Sequence, residues 1–380
     1  MSPEARASGP LAGLVVADFS RVLAGPYATM LLGDLGADVI KVERPGSGDD
    51  TRAWGPPYGP SGRSTYFDGV NRNKRPLAID LATEDGRRQA RELVASADVL
   101  VENFKPGSLD RLGLGYSTAA DLNPGLVYCS ITGFGAGAGA DLPGYDLLVQ
   151  AMGGLMSITG PEPGQPTKVG VALVDVITGL HATVGILAAL RHRDATGRGQ
   201  HVEVSLLSSL LSALVNQSAG YVGAGAVPGI IGNAHPSIAP YEVYPTADRE
   251  VVLAVGNDGQ FAALVDELGD PALAADPRFA TNPERVRHRA DLNRRLVVLL
   301  SADTADSWQQ RLMGRGVPCG PINDVAEAFA LAERLGLEPV ADVAGSPTVA
   351  HPIRLSESPA TYRHPPPDLP DESGPPYARM

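Results

Sequence analysis

The sequence predicts an α/β protein built on a parallel sheet, with length enough for a second domain. Three observations carry this. An apolar strand at Leu14 to Phe19, a helix of small and apolar residues at Ala24 to Leu35 and a second strand at Asp38 to Glu43 form a strand–helix–strand unit, which implies parallel pairing. The alternation then continues through a strand at LAIDL, an amphipathic helix at Glu84 to Ser96, a short buried strand at Asp98 to Glu102 and a strand at Leu126 to Gly133. Finally, 380 residues at 43% hydrophobic and 19% charged suffice for a packed core and for two domains, or one large domain with an insertion.

Composition excludes several function classes. A net charge of −12 argues against nonspecific nucleic-acid binding, because phosphate neutralisation needs a basic surface. An anionic ligand would need a local cationic patch instead. Cys129 and Cys319 are far apart, and no CxxC or HExxH occurs, so both read as reduced, near-core thiols and no metal is expected. The N-terminal MSPEARASGPLAG lacks the apolar core of a signal peptide, and no uncharged apolar run reaches eighteen residues. A soluble, cytoplasmic protein with no membrane partner is the expectation.

Taken in order, the turn after the first strand is SRVLAGPY rather than GxGxxG, so Glu43 at the end of the second strand does not mark a nicotinamide dinucleotide site and none is expected. Gly25 and Pro26 shape the strand-to-helix turn. Pro45 to Asn73 is a polar loop with Trp54, Tyr58, Tyr66 and Phe67 as its bulky landmarks, expected to be partly mobile. Lys74 and Arg75 read alone as a solvated turn, and Lys105 and Arg111 as ordinary surface residues. A Gly/Ala-rich loop, GFGAGAGADLPGYD, precedes the run from Val169 to Ser205, where Asp175 is the one carboxylate among Val, Leu and Ile before a helix at Val176 to Arg193. Such a group is costly to desolvate unless hydrogen bonds hold it or chemistry uses it. Two readings stand: a helix N-cap or a catalytic carboxylate. Ser205 to Ala224 reads as a second apolar helix, AGYVGAGAVPGIIG as a linker, and the Arg-rich helical stretch from Leu264 to Leu312 as a solvated face.

Several of these segments together resemble the family III CoA-transferases, the formyl-CoA-transferase-like or CaiB/BaiF family. They are VLAGPYATMLLGDLGADVIKVERPGSGDDTR, NKR, ENF followed by PG, DVITGLH, TGRGQHV and DPRFATNPERVRHRADL. The resemblance runs to about Pro359, where the family's usual final helix gives way to a Pro-rich tail, PPPDLPDESGPPYARM, expected to be extended or disordered. It implies a large, open-sheet Rossmann-like domain, a smaller α/β domain, and an interlocked homodimer. The boundaries are then 1–200 and 326–380 for the large CoA-binding domain, 201–228 for a linker and 229–325 for the small domain.

The same resemblance implies roles. Asp175 is the nucleophile, with Tyr145 and Asp146 beside it. Leu23, Ala24, Arg44, Lys74, Ile79, Asn103, Phe104, Lys105 and Arg111 serve coenzyme A, and the loop bearing Gly232, Asn233 and His235 faces the acyl group. Ala82 stands where many members have Lys. The substrates are an acyl-CoA and a free carboxylic acid, with a dicarboxylate such as succinate suggested by the Gly232 loop. Asp175 would pass through a mixed anhydride and an aspartyl-CoA thioester, with oxyanion donors from the helix N-terminus and the Gly232 loop. The alternative is an alpha-methylacyl-CoA racemase-type isomerase of the same superfamily. Racemisation needs an acid and a base on opposite faces, and Tyr145, with its high reference pKa, is a poor base near neutrality.

Overall fold

The computed structural model describes residues 8–59 and 62–370. The chain divides into two compact units, one formed by Met1–Leu155, Val169–Val227 and Glu338–Met380, the other by Met156–Lys168 and Pro228–Leu337.

Among the described residues, six strands form the sheet of the first unit: β1 (Val15–Asp18), β2 (Asp38–Glu43), β3 (Lys74–Ala78), β4 (Val99–Glu102), β5 (Val127–Thr132) and β6 (His201–Ser205). All pairings are parallel and the order is β3-β2-β1-β4-β5-β6. The inner strands read as near-continuous apolar runs because both faces are covered. Alternate side chains go to opposite faces. Val16, Val39, Val99, Val101, Val127, Cys129 and Ile131 belong to one core, and Val15, Ala17, Ile40, Val42, Leu100 and Tyr128 to the other.

The helices of this unit are α1 (Ala24–Asp34), the single turn α2 (Thr65–Asp68), α3 (Glu84–Ser96), the single turn α4 (Ser108–Arg111), α5 (Tyr116–Leu122), α6 (Asp146–Met152), α7 (Leu173–Thr196), α8 (Leu206–Ala213) and α9 (Val215–Ala224). In α3, Thr83 caps the Gly86 amide, Glu84 and Asp85 occupy the first turn, and Ala90, Leu93 and Val94 form the buried stripe, so cap, dipole and periodicity agree. α7 is long and apolar enough to cross a membrane, but it packs against α1, α8, β5 and β6. Where a single helix was expected from Ser205, Val215 at φ 39° separates α8 from α9. β6 pairs with β5 and α8 packs on α7 and β6, so 201–227 is part of the first unit and not a linker.

The second unit holds an antiparallel sheet of β7 (Tyr241–Pro245), β8 (Glu250–Ala254) and β9 (Cys319–Pro321). Around it lie α10 (Asp258–Glu267), α11 (Asn282–Arg287), α12 (Arg289–Leu300), α13 (Ala305–Gly314) and α14 (Val325–Arg334). α14 opens on a capping box made by Asp324 and Glu327 and stays with this unit, which ends at Leu337 rather than 325. The expected solvated Arg face is only partly so. Arg285 is wholly buried, donating to the carbonyls of Ala239 and Phe279 and to Asp258.

The chain returns to the first unit as a hairpin, β10 (Val340–Val343) and β11 (Ser346–Val349), and then as an extended strap. Asp34 anchors this segment, accepting from Arg72, Asn73 and His351. The Arg363 guanidinium donates to the carbonyls of Gly33 and Ala37. The Pro-rich tail carries no helix or strand as far as Pro370; its remainder lies outside the described residues.

Candidate active site

The strand order reverses between β1 and β4, and open α/β sheets bind ligands beyond the strand C-termini at such a point. A cleft of ≈ 360 Å³ lies there. Phe19, Val42, Ile79, Leu81, Phe104 and Leu112 give it apolar walls, and Arg21, Arg44, Asp49 and Asp80 give polar edges. Arg21 stands over the Phe104 ring at 5.5 Å. Thus Arg44, Ile79 and Phe104 come together as the motifs suggested, while Arg21 is a lining cation that sequence reasoning missed. Arg21 lies in the SRVLAGPY turn, directly before Val22, where the resemblance to the family motif begins.

The crest between β1 and α1 is clamped from two sides. The Asn103 side-chain oxygen accepts from the Arg21 amide at 2.9 Å and its Nδ2 donates to the Arg21 carbonyl at 2.7 Å. Asp49 accepts from the Val22 amide, holding Val22 at φ 70°, a conformation that β-branched residues avoid. Asn103 therefore shapes the crest. The Pro45 to Asn73 loop is anchored too. Arg52 forms a two-pronged pair with Glu43 at 2.8 and 2.6 Å and lies 3.8 Å over the Phe67 ring.

Lys74 is not a ligand-facing cation. Its side chain is fully buried, and Nζ donates to Asp18 Oδ2, the Pro26 carbonyl and Asn71 Oδ1, each at 2.9 Å. Burial lowers its pKa to about 8 despite Asp18. Burial likewise pulls the Asp18 carboxyl upward, but Lys74, Lys41 and Ser20 outweigh it and leave it below the ordinary value. The Lys that reads as a surface turn is thus the core counter-ion beneath the crest. Lys105 and Arg111 also stand outside the cleft lining. Lys105 pairs with Asp141 at 2.8 Å and Arg111 with the Ser108 hydroxyl at 3.0 Å, both exposed.

Leu23 and Ala24 are buried at the start of α1. Gly179 of α7 lies against them, where a Cβ would meet the Ala24 carbonyl at 2.7 Å and the Tyr27 ring at 3.1 Å. This close approach holds the α7 N-terminus beside the α1 N-terminus, and Asp175 is one turn earlier on the same helix. Asp175 is not the cap. The N-cap position is Ala172, whose side chain has nothing to offer, and Asp175 is in the first turn. The cap comes from another helix: Asp146 Oδ1 accepts from the Val174 amide at 2.8 Å and the Asp175 amide at 3.2 Å. Those amides are therefore engaged and not free for an oxyanion. Tyr145, just before Asp146, is 66% exposed.

Burial, and then the Asp146 charge, raise the Asp175 carboxyl to about 7. Tyr66 on α2 belongs to the same electrostatic group, its hydroxyl raised to about 12 by burial and then by Asp175, Asp146 and Asp49. A phenol so held remains a proton donor beside two acids, and nothing in the local sequence distinguished it from Tyr58. Among the described residues no group of three or more His, Cys, Asp or Glu could hold a metal ion.

The model of CoA-transferase family III matches residues 11–372. The chain belongs to CoA-transferase family III. It is 46% identical over 377 residues to succinate–glutarate CoA-transferase of Agrobacterium fabrum, covering 95% of this chain and 93% of that one. It is 45% identical over 327 residues to succinyl-CoA:glutarate CoA-transferase of Mus musculus, covering 86% and 75%. Among solved structures, a CAIB/BAIF family protein from Brucella suis superposes with a TM-score of 0.87 at 45% identity, covering 96% of this chain and 97% of that one. As a member of the family this chain is a CoA-transferase, and CoA is its substrate.

The remaining expected residues of the family pattern belong to the second unit. Gly232 sits at φ 62°, and a Cβ there would approach the Pro161 carbonyl at 2.9 Å. Asn233 is exposed. His235 accepts from the Ser237 amide through Nδ1 at 3.1 Å, which leaves Nε2 to carry the ring proton in the neutral form. Arg289 braces this loop by donating to the His235 carbonyl at 2.6 Å.

Proposed function

We propose that CoA transfer runs through covalent adducts on Asp175, with a dicarboxylate such as succinate or glutarate as one partner acid. The observation that carries this is the Asp146–Asp175 arrangement: a half-buried carboxylate raised to about 7, whose helix N-terminus is already capped by a neighbouring acid.

An ionised Asp175 oxygen attacks the donor thioester carbonyl. The carbon–sulfur bond breaks, CoA leaves as thiolate and a mixed anhydride remains. The thiolate then attacks the Asp175 acyl carbon and expels the donor acid, giving an aspartyl-CoA thioester. The acceptor carboxylate repeats both steps in reverse. Every nucleophile and leaving group is an anion, so no net proton transfer is needed. Water must be kept out, since either adduct is open to hydrolysis.

The cleft walls supply an apolar seat for a nucleotide base, and Arg21 and Arg44 the cations for phosphate. The dicarboxylate choice is supported by the two curated relatives, whose names pair succinate with glutarate. We further propose a homodimer working in the cytoplasm. α9 is a fairly apolar helix with no buried residue, and Tyr221 and Val222 are 61% and 84% exposed, an unusual state for a helix that stays uncovered.

The test is to supply succinyl-CoA and glutarate with no metal or nucleotide and to follow glutaryl-CoA. Borohydride reduction during turnover, followed by digestion, should convert Asp175 to an alcohol, and Asp175→Ala should abolish that product. Failure with every dicarboxylate, or deuterium entering the α-carbon of a branched acyl-CoA from solvent, would overturn the reading. The latter result is the racemase outcome.

A further inference from the structure

Gln150 takes no part in the chemistry above, yet it is 1% exposed and both ends of its amide are engaged. Nε2 donates to Asp146 Oδ2 at 2.6 Å, and Oε1 accepts from the Val169 amide at 2.9 Å. Asp146 and Gln150 are four residues apart on α6 and so share a face. The other Asp146 oxygen caps the Val174 and Asp175 amides. A continuous chain of hydrogen bonds therefore runs from the backbone at Val169 through Gln150 and Asp146 to the first turn of α7. Val169 is where the chain re-enters the first unit after 156–168.

An acid in the first turn of a helix ordinarily serves its own helix end. Asp146 instead turns its carboxylate toward α7, whose N-cap residue, Ala172, makes no side-chain bond. Something must hold that rotamer, and Gln150 is the donor on its second oxygen. We propose that Gln150 is a positioning residue: by fixing Asp146 between α6 and α7, it sets the placement of the Asp175 carboxylate and of the negative charge beside it.

This rests on the reading of Asp175 as nucleophile. The charge that acts on Asp175 is that of Asp146 on α6, and both carboxylates act in turn on Tyr66 of α2. Gln150 is uncharged, so its influence passes through Asp146. A role limited to packing would cost stability without altering how Asp175 titrates.

The experiment compares Gln150→Leu, Gln150→Asn and Gln150→Glu with the unaltered protein in pH profiles of kcat and kcat/KM for CoA transfer, alongside borohydride trapping at Asp175. The unaltered protein should lose activity as pH falls through about 7. Gln150→Leu releases Asp146 from its anchor, so the acid limb should move down by about half a unit or more. kcat should also drop roughly 10- to 100-fold, the range expected of a displaced reacting group, with little change in KM for the acyl-CoA. Asn, too short to reach both partners, should behave as Leu. Gln150→Glu keeps the shape but adds a third carboxyl, so the limb should move up. Limbs unmoved in both the Leu and Glu variants would overturn the proposal, as would a parallel loss of kcat and KM performance that only tracks melting temperature. If the unaltered protein traps no adduct at Asp175, the nucleophile reading itself fails. An adduct with unmoved limbs removes only the role of Gln150.

Discussion

At the scale of single residues, Asp175 holds a carboxyl in a place that disfavours its charge. Its folded-state value, about 7, lies above the ordinary 3.8 because of burial first and Asp146 second. Folding therefore takes up a proton between those values. The associated stability is complete below the lower value and is lost as pH rises through about 7. Asp175→Asn should accordingly raise stability at pH 8 by on the order of 2–4 kcal/mol, and the gain should vanish below about pH 4. Urea unfolding at the two pH values measures both. A variant no more stable at pH 8 would mean that Asp175 is not under this strain. The lone carboxylate in an apolar run was visible in the sequence, and the family resemblance named Asp146 beside it, but Tyr66 and Gln150 were not visible. Tyr66 lies more than a hundred positions away, and Gln150 is an unremarked amide on a short helix.

At the scale of elements, the middle of the sheet was legible because inner parallel strands such as β1 and β4, covered on both faces, announce themselves as short apolar runs. Glu84–Ser96 in particular carries cap, dipole and stripe in agreement. Lys74 was not legible, because an NKR tripeptide before a strand looks like a solvated turn. Only the pairing of β3 with β2, and of β2 with β1, brings it to Asp18, 56 residues earlier. This distinction has a measurable consequence. Lys74→Met leaves a buried carboxylate without its cation and should destabilise the protein by about 3–5 kcal/mol. Arg44→Ala, at the exposed cleft edge, should leave the urea midpoint nearly unchanged while weakening CoA binding about tenfold, the order of one charge-assisted contact. Paired unfolding and calorimetric titrations separate the two. Weakened CoA binding without loss of stability in Lys74→Met would restore it as a ligand. Arg285 teaches the same lesson, since Arg-rich helical sequence does not reveal which guanidinium the core will enclose.

For the whole molecule, the two compact units include 201–227 in the first and 326–337 in the second, where the sequence expectation set 201–228 apart as a linker and ended the small domain at 325. TGRGQ opens a strand whose burial depends on β5, so the chain past 200 belongs to the first sheet. The short excursion at 156–168, rich in Gly and Pro, carries no pattern that a sequence could advertise as domain-forming. Apolar exposure on α9, Val325 at 76% and Leu335 at 65% is a property of the isolated chain, and cover by a second copy is the proposed remedy. Sedimentation equilibrium should show a species of twice the 39.5 kDa chain mass, and Val222→Asp should weaken it. A monomer at micromolar concentration would remove the homodimer.

The most direct test of the Asp175 pathway follows oxygen. In the mixed-anhydride route, one oxygen of the acceptor carboxylate remains on Asp175 after a single turnover, and the oxygen Asp175 first held leaves with the donor acid. With succinyl-CoA and oxygen-18 glutarate, the peptide containing Asp175 should gain one heavy oxygen, and the label should reach succinate on later turnovers. Glutaryl-CoA formed while that peptide stays unlabelled would contradict covalent transfer through Asp175.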